Sequence, residues 1–258
     1  MATQNRPLVT QAGSQVISLK SKNTGRDYDL YVLLPASYAE TKRKKYPVLY
    51  AMDGQWDFKL LDAIIGGLVY DKFIPEMILV GVTYSGENAD FNSLRAMDYT
   101  PVGYPDLPGS GDAPKFFKCM KEEIMPLIEG EFRADPHKRI LSGSSFGGTY
   151  VLYSLFSEPE LFFAYLPSSP AVPYGEDFAF KHEAEYFAKR KDLPVRMSMS
   201  VGEVEGLAGP VQKFIQVLKS RSYQGLALET MVVKEEGHAS VKPEGYNRGL
   251  RFIFKAQA

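Results

Sequence analysis

The spacing of hydrophobic positions along this chain changes character near residue 46. From Gln15 to Lys20 polar and apolar residues alternate, and from Asp27 to Leu34 the apolar residues Tyr28, Leu30, Val32 and Leu34 share one face. Alternation of this kind predicts half-buried antiparallel strands. Farther along, the apolar residues run together, at 47–52, 77–82, 139–141, 162–166, 195–201 and 226–233. Runs of this kind, some more mixed than others, suit strands covered on both faces. Helical spacing fills most of the intervals, at 58–69, 115–128, 149–156, 177–189 and 209–220. Strand and helix in alternation predict βαβ units. The expected architecture is therefore α/β. A mostly parallel central sheet carries helices on both faces, with antiparallel N-terminal strands at one edge.

Two stretches break this rhythm. Tyr84 to Ala113 holds four glycines and three prolines, and Pro167 to Glu176 also reads as loop. Long loops in compact domains are often functional, so both are expected to wall a substrate pocket. The basic run Lys42 to Lys45 reads as a solvated hairpin tip. With no repeat, low-complexity tract or linker, residues 1–258 are expected to form a single domain.

Composition narrows the function. The chain has 258 residues, 45% of them hydrophobic, which suffices for one large core. Thirty basic against 31 acidic residues leave a formal charge of −1, which argues against nucleic acid or an anionic membrane as the main partner. No stretch approaches the length of a membrane span. The start, MATQNRPLVTQ, has no apolar h-region, so no leader is expected. Cytoplasmic location is the default, and a processed periplasmic or secreted form would begin in the same way. The one cysteine, Cys119, excludes an intrachain disulfide framework and any Cys-rich metal site, and reads as a core residue. His137, His182 and His238 show no metal-ligand spacing, so neither metal nor cofactor is expected. His137 and His182 lie in polar surroundings and read as solvated.

One short motif carries chemistry. Gly143-Ser144-Ser145-Phe146-Gly147 fits G-x-S-x-G, with a strand predicted before it and a helix after it. That context is a nucleophile elbow: the backbone turns so sharply at the serine that only small neighbours fit. The new helix also points its N-terminus at the developing negative charge. Ser145 is the candidate nucleophile, and the backbone N–H of Phe146 is a candidate oxyanion donor. A phosphate-binding loop is disfavoured because no Gly-Lys-Ser/Thr follows. The order Ser, acid, His points to His238, in Glu235-Glu236-Gly237-His238, as the base. The acid is sought after the strand at 195–201, in Gly202-Glu203-Val204-Glu205. Glu205 is preferred, and Glu203 is expected to bind backbone at the turn. A second oxyanion donor belongs to the loop after the third strand, Met52-Asp53-Gly54-Gln55-Trp56, where Gln55 and Trp56 are the candidates. Trp56 suits either a pocket wall or the core.

These segments resemble a known family. Tyr46 to Trp56 is similar to the strand and oxyanion loop of the α/β-hydrolase esterases that include siderophore esterases, feruloyl esterases, S-formylglutathione hydrolase and mycolyltransferases. Arg95-Ala96-Met97-Asp98-Tyr99-Thr100-Pro101 resembles the family's R-x-x-D-[YL]-T-P segment. Ser142 to Gly148 resembles its elbow, with Ser144 where His is common and Phe146 where Met or Leu is common. The likeness spans about Tyr28 to His238 and looks closest to the siderophore-esterase branch. It implies ester hydrolysis of a small molecule by a Ser145–His238–Glu205 triad, and leaves open a general carboxylesterase, a catecholate trilactone esterase or an acyltransferase. Arg95 is expected either to hold an anionic substrate group or, the preferred reading, to brace its loop through Asp98.

Overall fold

The computed structural model describes residues 10–255, so residues 1–9 of the N-terminal reading lie outside it. Eight strands, β1 (Ser14–Lys20), β2 (Asp27–Leu33), β3 (Tyr46–Ala51), β4 (Ile78–Tyr84), β5 (Ala134–Ser144), β6 (Ala164–Ser168), β7 (Arg196–Gly202) and β8 (Ala227–Val233), form one sheet in the order β1-β2-β4-β3-β5-β6-β7-β8. The alternating strands β1 and β2 pair antiparallel, β2 meets β4 antiparallel, and every later neighbour is parallel. The apolar runs sit in the middle: all residues of β3 and of β4 are buried. The change of hydrophobic period near residue 46 thus marks the passage from sheet edge to sheet centre.

Eight α-helices flank the sheet: α1 (Gly54–Tyr70), α2 (Phe91–Tyr99), α3 (Ala113–Cys119), α4 (Met125–Glu131), α5 (Phe146–Ser157), α6 (Tyr174–Lys189), α7 (Ala208–Arg221) and α8 (Lys242–Phe254). Phe58, Leu61, Ile65 and Leu68 of α1 share one core with Tyr246, Leu250 and Ile253 of α8. Phe116, Tyr150, Phe156, Tyr186 and Phe214 build the larger core on the opposite face. A side chain of this size contributes roughly 1.5–3 kcal/mol when fully buried. Between α3 and α4 the chain widens for one π-type turn, Met120–Ile124. Pro126 lies just beyond it and has no N–H to continue a regular ladder. Cys119 is fully buried on this helical stretch, and burial pushes its thiol pKa up, which leaves it unreactive.

Two helices depart from the sequence expectation. The stretch Tyr84 to Ala113, expected as loop, contains α2, whose start is capped by Asp90 Oδ1 accepting the Ser93 N–H at 3.1 Å. The C-terminal segment forms α8, hidden in the sequence by Pro243, Gly245 and Gly249. Those glycines are there for close approach. A Cβ at Gly245 would lie 2.4 Å from Ser200 Oγ, and one at Gly249 2.3 Å from a Leu166 methyl, so α8 lies directly on β6 and β7. Among the described residues, no helix is long and apolar enough to cross a membrane.

Candidate active site

Strand β5 ends at Ser144 and α5 begins at Phe146, with Ser145 alone between them at φ 59°, ψ −122°. A non-glycine residue persists in such a conformation only when its surroundings impose it. The surroundings do so by packing. A Cβ at Gly143 would lie 2.5 Å from the Gly147 carbonyl oxygen, and one at Gly147 would lie 3.2 Å from Asp53 Oδ2. The turn is also bonded on both sides. Ser145 N–H donates to the Ser168 carbonyl at 3.1 Å, and its own carbonyl accepts from Thr149 N–H at 2.9 Å. The side-chain oxygen stays free: among the described residues, no hydrogen bond reaches Ser145 Oγ.

The candidate acid and the candidate base meet two strands away. Glu205 lies just past the end of β7, and His238 lies in the loop between β8 and α8. His238 Nδ1 stands 2.5 Å from Glu205 Oε2. A ring nitrogen facing a carboxylate must carry a proton, so in the neutral ring the lone pair is on Nε2. The other carboxylate oxygen, Oε1, accepts the Gly202 N–H at 2.7 Å and the Ser169 hydroxyl. Three donors thus satisfy the Glu205 carboxyl group, whose side chain is only 4% exposed. The imidazole is 46% exposed. Glu203 points elsewhere and accepts the Glu235 N–H at 2.9 Å. Ser145 is joined to this pair through β6, since Ser168 holds its N–H and the next residue, Ser169, holds Glu205.

Strand β3, beside β5 in the sheet, ends in a second sharp turn at Asp53, φ 57°, and α1 starts at Gly54. The first-turn N–H groups of such a helix have no intrahelical acceptor. Trp56 is an exception: its N–H donates to the Asp53 carbonyl at 2.9 Å, which removes it from the oxyanion candidates. The N–H groups of Gln55 and Phe146 reach no acceptor among the described residues. Trp56 is also not a core residue. Its side chain is 48% exposed, edge-on to Phe91 at 6.3 Å.

Arg95 departs from its expected local brace. It does not pair with Asp98, which is bound by Arg26 and by the Tyr28 hydroxyl at 2.8 Å. Instead Arg95 grips Asp53 with Nε to Oδ1 at 2.8 Å and Nη2 to Oδ2 at 2.7 Å, and Nη2 also reaches the Ser144 carbonyl at 3.3 Å. A two-pronged bond to a buried carboxylate outweighs a single contact on its own helix. Burial pushes the Asp53 carboxyl pKa up, against the pull of the Arg95 guanidinium. The guanidinium lies against the rings of Trp56 and Phe146, with centroids at 5.5 and 5.6 Å. Its charge is therefore already engaged by protein, which counts against its holding an anionic substrate group.

Asp53 and Ser169 were not singled out in the sequence. Asp53 sits inside a motif already noted, and Ser169 lies in the Pro167–Glu176 loop, so position near a strand end is the signal that could have found them. His182 also differs from expectation. It is half-buried, stacked on Tyr153 at 5.5 Å with Phe178 at 5.3 Å, and burial lowers its pKa. Both irregular stretches do lie beside the elbow. Phe146 meets Tyr174 at 5.4 Å and Tyr174 meets Tyr104 at 5.7 Å, alongside a cleft of about 630 Å³ lined by Val102, Tyr104 and Phe178.

Comparison with known proteins bears on this geometry. A family profile described as Putative esterase matches residues 21–223. The ferri-bacillibactin esterase BesA of Bacillus subtilis is 29% identical over 94% of this chain and 90% of its own length. A siderophore triacetylfusarinine C esterase of Aspergillus fumigatus is 26% identical over 69% of this chain and 62% of its own. The crystal structure of the BES protein from Bacillus cereus superimposes with a TM-score of 0.88 at 25% identity, covering 99% of this chain and all of that one.

Proposed function

The chain belongs to the family described as Putative esterase, of α/β-hydrolase type, and from that premise we propose that Ser145, His238 and Glu205 form its catalytic triad and that its ester substrate is a siderophore. Ester hydrolysis by a serine enzyme is the family's chemistry. The observation that carries the residue assignment is the left-handed backbone of Ser145 at a strand–helix corner, φ 59° and ψ −122°, with its hydroxyl free. Strain of this kind marks functional positions.

The reaction follows from the parts. Ser145 Oγ attacks the ester carbonyl as His238 Nε2 takes its proton. Glu205, bonded to Nδ1, fixes the ring's tautomer and stabilises the imidazolium. The N–H groups of Phe146 and Gln55 receive the oxyanion; each such donor is worth on the order of a hundredfold in rate. The tetrahedral adduct collapses, His238 protonates the departing alcohol, and Ser145 is left acylated. Water then attacks the acyl-enzyme, its proton passing to His238, and the serine leaves with that proton. Trp56, Phe91, Phe146 and Tyr174 form paired aromatic rings beside this site.

The siderophore reading is supported by the names of the relatives and by this rim of aromatic surfaces, of which Trp56 and Tyr104 are 48% and 42% exposed. The test is hydrolysis of p-nitrophenyl esters of increasing acyl length beside apo and ferric forms of a catecholate siderophore, with wild type and Ser145→Ala. The proposal expects siderophore cleavage at a higher kcat/KM than any aryl ester, and none by the variant. Fast short-chain turnover with the siderophore untouched would instead make this a general carboxylesterase.

A further inference from the structure

At the start of α1, beside the candidate oxyanion loop, lies an ion pair, with a buried carboxylate and a partly buried ammonium, that the reaction as described does not use. Asp57, in the first turn of α1 and two residues beyond Gln55, is 1% exposed. Lys242, the first residue of α8 and four residues beyond His238, donates to its Oδ1 at 2.6 Å. Tyr246, one helical turn later, donates to its Oδ2 at 2.7 Å. One carboxylate thus takes two donors from the same face of α8.

Affinity between the two helices does not require these charges. Phe58, Leu61 and Ile65 of α1 already share a core with Leu250 and Ile253 of α8. A buried ion pair adds little net stability over apolar side chains of the same size, and its best-attested use is to fix register. Apolar ridges can slip along one another, whereas a carboxylate with two fixed donors has one satisfactory position. The slip would matter here. Helix α1 carries the Gln55 N–H at its start, and α8 begins where the His238 loop ends. That loop is exposed at His238, Ala239 and Ser240. On its β8 side it is tied to the loop after β7, by Glu235 N–H to Glu203 at 2.9 Å and Val204 N–H to the Glu236 carbonyl at 3.1 Å. Between the histidine and α8 the backbone bonds are local, such as Gly237 N–H to Ser240 Oγ at 3.0 Å, so the position of α8 sets this side of the loop.

We infer that Asp57, Lys242 and Tyr246 are positioning residues: together they set the distance between the catalytic base and the oxyanion donor by pinning α8 to α1. The inference rests on the triad proposed above. The pin touches no substrate, so its loss lowers kcat and leaves KM almost unchanged.

The test replaces the pin with an apolar set, Asp57→Leu, Lys242→Met and Tyr246→Phe together, which removes every group that would otherwise be buried unpaired. Hydrolysis of p-nitrophenyl acetate and thermal melting are measured beside wild type, Ser145→Ala and Tyr246→Phe alone. The expected result for the triple variant is an unchanged or higher Tm with kcat down by about tenfold to a hundredfold and KM within about twofold. Tyr246→Phe, which keeps the charged pair and is the variant to rely on if the triple variant fails to fold, is expected to show a smaller fall in kcat, again at constant KM. Wild-type kcat in a folded triple variant, or in Tyr246→Phe where only that one folds, overturns the inference. So does a loss of Tm with kcat intact. Failure of the triad itself is separate: wild type would then be inactive, or Ser145→Ala active, whatever the pin variants do.

Discussion

Two neighbouring strand–helix corners of the sheet solve the same problem in different ways. At the end of β5, Ser145 adopts φ 59°, and at the end of β3, Asp53 adopts φ 57°. Each is followed by a helix whose first N–H groups lack intrahelical acceptors. The Ser145 corner is imposed sterically by glycines one turn apart, which leaves the serine side chain unbound. The Asp53 corner is imposed by a bond: its side chain is clamped by Arg95 from α2. The residue proposed to react is held through its neighbours, and the residue that shapes the other turn is held through its own side chain.

The predictions that test this contrast run from chemistry to surface. Ser145→Ala removes the hydroxyl without touching the glycines, and turnover is expected to fall on the order of a millionfold with the melting curve unchanged. Arg95→Ala leaves Asp53 buried without its partner. A loss of about 3–5 kcal/mol is expected in denaturant titration. Activity of the folded fraction is expected to fall on the order of a hundredfold as the Gln55 N–H moves. Gly143→Ala drives a methyl into the Gly147 backbone; it is expected to cost about 1–3 kcal/mol and to lower kcat more than it raises KM. Trp56→Ala alters only a half-exposed ring, so stability is expected to change by less than about 0.5 kcal/mol. Its effect is expected in KM for aromatic esters, read against short aliphatic ones. If Arg95→Ala behaved like Trp56→Ala, the second corner would not depend on its clamp.

The same contrast explains what could be read from the chain beforehand. The Ser145 corner is local: strand, G-x-S-x-G and helix follow one another from Ala134 to Ser157, and the small side chains are themselves the constraint. The central parallel strands β3 and β4 were legible because burial on both faces writes an apolar run, whereas the edge strand β8 is mostly half-buried and more mixed in sequence. Chain order singled out Glu205 and His238, whose side chains the structure brings to 2.5 Å. The Asp53–Arg95 clamp was not, because its partners are 42 residues apart and the nearer Asp98 offered a plausible substitute. Helix α8 was hidden because close packing on β6 and β7 demands Gly245 and Gly249, which look like helix breakers when nothing shows what they touch. The free N–H of Gln55, against the engaged N–H of Trp56, depends on one turn hydrogen bond that leaves no trace in composition.

The most direct measurement of the central claim is covalent labelling with a fluorophosphonate, read by intact mass and peptide mapping on wild type, Ser144→Ala and Ser145→Ala. The triad proposed here predicts a single adduct on Ser145 in wild type and in Ser144→Ala, and none in Ser145→Ala. An adduct on Ser144, or no adduct on the wild-type protein, would contradict it.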